Sequence, residues 1–243
     1  CVRVLNDTYD LTTQTAARKG ITAAMRREPA IRRDELVYLA GQAVNGDGLK
    51  FDKLWIAFED GEVLNTATGW FFQDIRTRRF LAYRLGKTEN TDLFRLSTYD
   101  LTAICAPEFV VLDNTRVAAN TLMTGGVTGR RRFGQAEHHG TGLLPLLGID
   151  LGFTNPDEEV NNPGSKPIER GFGIGGLHDM VVNNPEVRQY GGYSREKAVP
   201  EAVWRRAVAV EVARFNAREG RRTRACGGVL SFDQAWEKAP KFT

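Results

Sequence analysis

The pattern of apolar and polar positions changes from helical to strand-like near residue 41. Apolar residues at helical spacing before it, Ala17, Ile21, Ala24 and Met25, predict a largely polar helix. After it, short apolar runs between turn residues predict strands over 42–47, 54–59, 68–75 and 79–85, with a tight connection at Thr77-Arg78. The first half of the chain is therefore expected to form several antiparallel strands.

Helical and strand-like segments alternate in the second half. Helical spacing of Leu93, Leu96, Leu101 and Ile104 predicts a helix over 92–105, and the unbroken apolar run over 108–113 predicts a strand buried on both faces. Further on we predict a short helix over 142–147, a strand over 149–151, a loop over 152–165, a short helix from Pro167 and a long helix over 200–219. In the long helix, the stripe of Trp204, Val208, Val212 and Phe215 is interpreted as core. This order is typical of an α/β or α+β domain with a mixed sheet.

Composition narrows the class of protein. The chain has 243 residues, of which 26% are charged and 42% hydrophobic, and no apolar run is long enough to span a bilayer. Cys1, Cys105 and Cys226 are scattered, which argues against a disulfide framework and a structural zinc site and favours a reducing, cytoplasmic setting. The chain opens with Cys and shows no signal segment, so we expect it to be a piece of a longer protein.

Arginine dominates the positive charge. The formal net charge is only +3, but 25 of the 33 basic residues are arginine. The stretch 114–136 contains Arg116, Arg130, Arg131 and Arg132 and no acid, so we expect it to face an anion such as DNA phosphate. A second basic segment, 202–224, carries seven arginines, and it is either a polyanion-binding surface or a solvated helix face.

Several common catalytic motifs are excluded. The segment 171–176 matches G-x-G-x-x-G, but it follows polar residues rather than an apolar strand, which argues against a nucleotide site. No Walker sequence, G-x-S-x-G elbow or H-E-x-x-H motif occurs, and His138-His139 is interpreted as a loop pair. Hydrolysis by a serine or a zinc ion is therefore not expected.

Three carboxylates remain as candidates for chemistry, and each has a structural alternative. Asp47 lies in Asn45-Gly46-Asp47-Gly48, which also resembles a hairpin turn. Asp113 ends a predicted strand, where it either serves chemistry or caps the next helix. Glu169 lies in a first helical turn, which favours an acid in any case. Their spacing of 66 and 56 residues does not establish that they converge.

Several sequence blocks, taken in order, resemble a known family. They are 45–48, 70–78, 113–116 with 118–120 and 124–126, 166–170 with 172–177, and 215–218 with 226–228. Over about residues 41–238 they are similar to the catalytic core of the Mu-type DDE transposases of the retroviral integrase superfamily. The resemblance implies an RNase H-like, retroviral integrase-type α/β fold, a five-stranded mixed sheet flanked by helices. It also implies a triad of Asp47, Asp113 and Glu169 that holds two Mg²⁺ or Mn²⁺ ions, with Asp47 bridging both.

The same resemblance implies an activity and an organisation. Such a core nicks donor DNA at 3′ ends and transfers the strand into target DNA, as a homo-multimer assembled on DNA in the bacterial cytoplasm without a membrane. Residues 1–40 would then be a helical lead-in, 41–225 the catalytic core, and 226–243 a segment leading to a β-barrel domain that is not in this chain. Two alternatives stay open, an RNase H-like metal-dependent nuclease without strand transfer and an inactive DNA-binding scaffold.

Overall fold

A computed structural model of the chain describes residues 11–19, 34–113, 121–125, 142–154 and 167–243. Within these ranges the helices, numbered in chain order, are α1 (Leu11–Lys19), α2 (Thr91–Thr102), α3 (Thr121–Thr124), α4 (Leu143–Leu146), α5 (Pro167–Phe172), α6 (Leu177–Val182), α7 (Pro185–Tyr190), α8 (Glu201–Ala217) and α9 (Phe232–Lys238). The strands are β1 (Ala43–Lys50), β2 (Ile56–Ala57), β3 (Val63–Leu64), β4 (Thr68–Asp74), β5 (Phe80–Gly86), β6 (Phe109–Asp113), β7 (Asp150–Thr154) and β8 (Val199–Pro200). None of the described helices is both long and apolar enough to cross a membrane.

The central sheet has five strands in the order β5-β4-β1-β6-β7. Strand β4 pairs antiparallel with β1 and β5, whereas β1, β6 and β7 run parallel to one another. Strands β4 and β5 are joined by a short turn, and β2 and β3 lie between β1 and β4 along the chain. The parallel half requires crossover connections. The expected five-stranded mixed sheet flanked by helices is therefore confirmed.

Each face of the sheet is covered by a different hydrophobic cluster. On one face, α2 buries Leu93, Phe94 and Leu101 against side chains of β4 and β6. On the other face, the predicted stripe of α8 is buried, and α5, α6 and α9 add to the same cluster. The prediction for α2 was only partly right, because Leu96 and Ile104 are exposed.

A second, smaller sheet corrects one prediction. The segment 54–59 forms only the two-residue strand β2, which lies outside the central sheet in the order β3-β2-β8. Its parallel partner β8 is far along the chain, so no local pattern indicates the pairing. The predicted strand over 149–151 is also longer in the structure, because β7 pairs with the whole of β6.

The β4–β5 turn is built around a buried carboxylate. Asp74 accepts hydrogen bonds from the Gly41 amide (2.9 Å), the Thr77 amide (2.7 Å) and the Thr77 hydroxyl (2.6 Å). Burial raises the pKa of Asp74, while these hydrogen bonds oppose the rise. Arg78, with φ of 69°, completes the tight connection that was predicted at Thr77-Arg78.

Both ends of the described core meet. Phe232 and Ala235 of α9 are buried in the cluster that contains α8, and Ala40 pairs with Lys241 through an isolated bridge. The Ala40 amide donates to the Pro240 carbonyl at 2.9 Å. The division into residues 1–40, 41–225 and 226–243 stays a prediction, and residues 226–243 contact the rest of the described chain closely.

The segment 45–48 is not a turn. It lies inside β1 and is paired on both sides, with Gly46 opposite Phe72 of β4 and opposite Leu112 of β6. A Cβ atom on Gly46 would lie 2.7 Å from Phe72 Cε1 and 2.8 Å from Leu112 Cδ2. The hairpin alternative is therefore wrong, and the glycine is present because neighbouring side chains meet over the backbone of β1.

We expect Gly46→Ala to lower the free energy of unfolding by about 1–3 kcal/mol, the usual cost of overpacking a core. Urea denaturation followed by circular dichroism measures this. Gly173→Ala is the matched control, because a Cβ atom there would meet only the Glu169 carbonyl oxygen, at 3.4 Å. Equal stability of the two variants would show that the contacts over Gly46 do not constrain the strand.

Candidate active site

Two of the candidate acids lie on neighbouring parallel strands. Gly46 of β1 is in register with Leu112 of β6, and the next residues are Asp47 and Asp113. Adjacent strands are about 4.8 Å apart, so the backbones at positions 47 and 113 lie side by side. Strand β6 ends at Asp113. In open sheets, ligands bind beyond the carboxyl ends of such strands.

Asp47 is half-buried and points to the α8 side of the sheet. Residues two apart on a strand share a face, and Leu49 belongs to the cluster on that side. The Gly48 amide donates to Asp47 Oδ1 at 2.9 Å, which fixes the orientation of the carboxylate. The strand and this hydrogen bond therefore hold the Asp47 carboxylate in place.

Glu169 is carried by the short helix α5, which packs against β1 and β4. Pro167, Ile168 and Gly171 are buried beneath the helix, and the Phe172 ring packs against the rings of Phe71 (5.5 Å) and Phe80 (5.8 Å). Glu169 lies in the first turn and is exposed. The helix therefore lies over the same face of β1 that bears Asp47, and it carries Glu169 with its side chain exposed.

The glycine-rich segment after α5 ends that helix and connects it to α6. The helix stops at Phe172, as expected from the glycines that follow it, and α6 begins at Leu177. The G-x-G-x-x-G segment connects these two helices and follows no strand, in agreement with the rejection of a nucleotide site.

A further acid near Asp47 was missed by the sequence reasoning. The carboxyl group of Glu89 lies over Gly48, where a Cβ atom would be 3.0 Å from Glu89 Cδ. Because Gly48 and Asp47 are consecutive, Glu89 lies on the opposite face of β1 from the Asp47 side chain. Glu89 follows β5, which is separated from β1 by β4 in the sheet. No sequence signal indicates that the chain after β5 returns to β1.

The four candidate DNA-binding arginines, Arg116, Arg130, Arg131 and Arg132, lie outside the described residues, as does His138-His139.

The Asp113 backbone is described as part of β6. In the described part of the chain, no group of three or more histidine, cysteine, aspartate or glutamate side chains forms a metal site. The donor set itself fits a hard divalent cation, since all three candidates are carboxylates.

The second basic segment is largely neutralised within the molecule. Four of its arginines pair with acids: Arg205 with Glu201, Arg206 with Glu186, Arg214 with Glu211, and Arg224 with Asp34. The Arg221 guanidinium lies between the rings of Phe215 and Phe232, at 4.3 and 4.4 Å from their centroids. These contacts favour the interpretation of 202–224 as a solvated helix face and a structural turn.

Most of the chain is similar to known sequences. The profile of the family described as bacteriophage Mu transposase matches residues 37–240. Mu-like prophage FluMu transposase A of Haemophilus influenzae is 36% identical over 241 residues, covering 93% of this chain and 35% of that protein. The chain thus spans about a third of the length of this curated relative.

Two solved structures are similar to the chain, and the first of them supports the fold. A chain of the simian T-cell lymphotropic virus intasome in complex with the PP2A regulatory subunit B56 gamma is similar with a TM-score of 0.53 and 13% identity, covering 99% of this chain and 77% of that one. The catalytic core domain of BIV integrase gives a TM-score of 0.45 and 14% identity, covering 81% and 95%. The mixed sheet and its flanking helices form the RNase H-like fold of the retroviral integrase type.

Proposed function

The chain belongs to the bacteriophage Mu transposase family, and from this premise we propose that it is the catalytic core of a Mu-type DNA transposase. It nicks donor DNA to free a 3′-hydroxyl and joins that hydroxyl to target DNA. Asp47, Asp113 and Glu169 hold two Mg²⁺ or Mn²⁺ ions for both steps. The observation that carries the proposal is the register of β1 and β6, with positions 47 and 113 side by side and α5 packed over β1.

In this proposal the protein contributes to the chemistry by binding the divalent ions and orienting the DNA. Divalent ions, when bound, supply the positive charge and the Lewis acidity that phosphodiester transfer needs. Asp47, Asp113 and Glu169 would be the residues that hold them. In the first step, a water oxygen bonds to the scissile phosphorus and the 3′-oxygen leaves as a hydroxyl. In the second step, that 3′-oxygen bonds to a target phosphorus and the target 3′-oxygen leaves, so no side-chain nucleophile takes part.

The proposed setting follows from the family. The substrates are the two donor DNA ends and the target DNA, and the protein acts as a homo-multimer on DNA in the bacterial cytoplasm. Because the chain spans about a third of its curated relative, we propose that other domains of the parent protein recognise the DNA ends. The core described here would supply the reaction centre.

Divalent ions should stabilise the fold, because clustered carboxylates repel one another until a cation neutralises them. At an ion concentration about a hundred times Kd, the gain in unfolding free energy is about 2.7 kcal/mol. Asp47→Asn, Asp113→Asn and Glu169→Gln should each reduce this gain and abolish DNA cleavage without unfolding the protein. Thermal melting with and without Mg²⁺ or Mn²⁺, together with a plasmid-nicking assay, measures both effects.

Asp150→Asn is the matched control for these variants. Asp150 is an exposed aspartate at the amino end of β7, in the same sheet but at the end of the parallel strands opposite the candidate site. Its melting curve and nicking should keep the ion dependence of the unmodified chain. Absence of any melting shift at millimolar Mn²⁺ in the unmodified protein would contradict the metal site.

A strand-transfer assay separates the proposal from its alternatives. A donor DNA that carries both ends of the parent element is incubated with the complete transposase, a target plasmid and Mg²⁺, and joined products are counted by sequencing. We expect joined products from the unmodified protein and none from Asp47→Asn. Nicked donor without joined product would instead indicate an RNase H-like nuclease, and binding without either product would indicate a scaffold.

The acid-free stretch 114–136 supports contacts from Arg116, Arg130, Arg131 and Arg132 to DNA phosphates. Replacing any one of them with Gln should flatten the slope of log affinity against log salt by about 0.9, because one fewer counterion is released. Fluorescence anisotropy over a KCl series measures the slope. Arg206→Gln, which removes a charge already paired with Glu186, should leave the slope unchanged, and an unchanged slope in the four test variants would assign those arginines to solvent.

A further inference from the structure

Two buried amide side chains lie opposite each other in the centre of the sheet. Asn45 of β1 is in register with Gln73 of β4, and the two residues are 0% and 1% exposed. Among the described residues, Asn45 Nδ2, Asn45 Oδ1 and Gln73 Oε1 have no hydrogen-bond partner. An unpaired buried polar group destabilises the folded state, because it has lost its hydrogen bonds to water. Native proteins pair nearly all such groups, so three at one register position call for an explanation.

The amide pair lies directly beneath the helix that carries Glu169. Asn45 is two residues before Asp47 on the same face of β1, about 6.6 Å away along the strand. A Cβ atom on Gly171 of α5 would lie only 3.1 Å from Gln73 Nε2. The backbone of α5 thus rests on the Gln73 side chain, and the pair spans from this helix to the strand that bears Asp47.

Core packing alone does not account for these residues. Other side chains on the same face of β1 and β4, Leu49 and Phe71, are apolar and belong to the buried cluster. An apolar pair of similar volume would fill the space without leaving polar atoms unpaired. Residues directly opposite on antiparallel strands have Cβ atoms about 4.5–5.5 Å apart, so a rotation of either amide brings it within reach of the other or of the α5 backbone.

We propose that Asn45 and Gln73 are positioning residues that seat α5 on β1 and thereby set Glu169 relative to Asp47. This inference rests on the proposed function, because it concerns the binding of divalent ions by these carboxylates. The Gln73 side chain supports α5 where it meets the helix backbone at Gly171, and a rotation that pairs either amide would fix the height and rotation of the helix over the strand. With apolar side chains at both positions, α5 would be held by apolar contacts alone, which fix position less sharply than hydrogen bonds do.

The test is Mn²⁺ binding by the double variant Asn45→Leu/Gln73→Met, measured by electron paramagnetic resonance. Replacing both amides with apolar groups of similar size should leave the melting temperature without metal equal to that of the unmodified protein or higher. The Kd for Mn²⁺ should rise by about 10-fold or more, as for residues that orient metal ligands. A fold defect alone would lower the melting temperature, so these two readouts separate positioning from stability.

Ser97→Ala is the matched control. Ser97 is buried on α2, on the other face of the sheet, and its hydroxyl donates to the Trp70 carbonyl at 3.2 Å. Its loss should lower the melting temperature and leave the Mn²⁺ Kd unchanged. If the double variant does not fold, the single variant Gln73→Met replaces it, with the same expected rise in Kd.

The outcomes separate this inference from the proposed function. One result is that the unmodified protein binds no Mn²⁺, and another is that its Mn²⁺ binding is unaffected by Asp47→Asn. Either result overturns both the metal site and the positioning role. If it binds Mn²⁺ through Asp47 and the amide variants bind with unchanged Kd, the positioning role alone is overturned. A raised Kd with an unchanged or higher melting temperature supports it.

Discussion

Parallel pairing of β1 with β6 is the constraint on which the rest of the structure depends. The ladder aligns Gly46 with Leu112. Because Asp47 and Asp113 are the next residues on the two strands, this register places their backbones side by side. A slip of one residue would turn the whole of β1 over. The side chains that meet over Gly46, from β4 on one side and β6 on the other, oppose such a slip because only a glycine fits between them.

Glu169 depends on a different and weaker kind of interaction. Backbone hydrogen bonds along β1 and β6 fix the positions of Asp47 and Asp113, whereas α5 has six residues and is far too short to be stable alone. Its place is set by buried Ile168 and by the contacts of Phe172 with Phe71 and Phe80. Formation of the proposed three-carboxylate site would therefore be coupled to how well this one helix packs, and the acid on the helix would be the one most sensitive to core substitutions.

The sequence predicted those elements whose pattern is local. The helical stripe of α8, the apolar run of β6 and the tight turn at Thr77-Arg78 each carry their own signal. The small sheet was missed because β2 pairs with Val199–Pro200, and no pattern in 54–59 contains that information. For the segment 45–48, local signals misled, since a glycine required by close packing within a sheet and a glycine required by a turn look alike in one sequence.

The candidate site shows the same limit more sharply. Spacing could not predict that Asp47, Asp113 and Glu169 converge, because the proposed site depends on a crossover and on the seating of α5, both of which are tertiary. What the sequence does contain is a pair of buried amides that destabilise the core and have no local structural reason. Asn45 and Gln73 place amides where the surrounding core favours apolar side chains, and a fold selected for stability alone has no cause to keep them. Such a cost is expected where precise placement of a nearby helix matters more than a small gain in stability, which is the requirement that a shared metal site imposes on the helix above it.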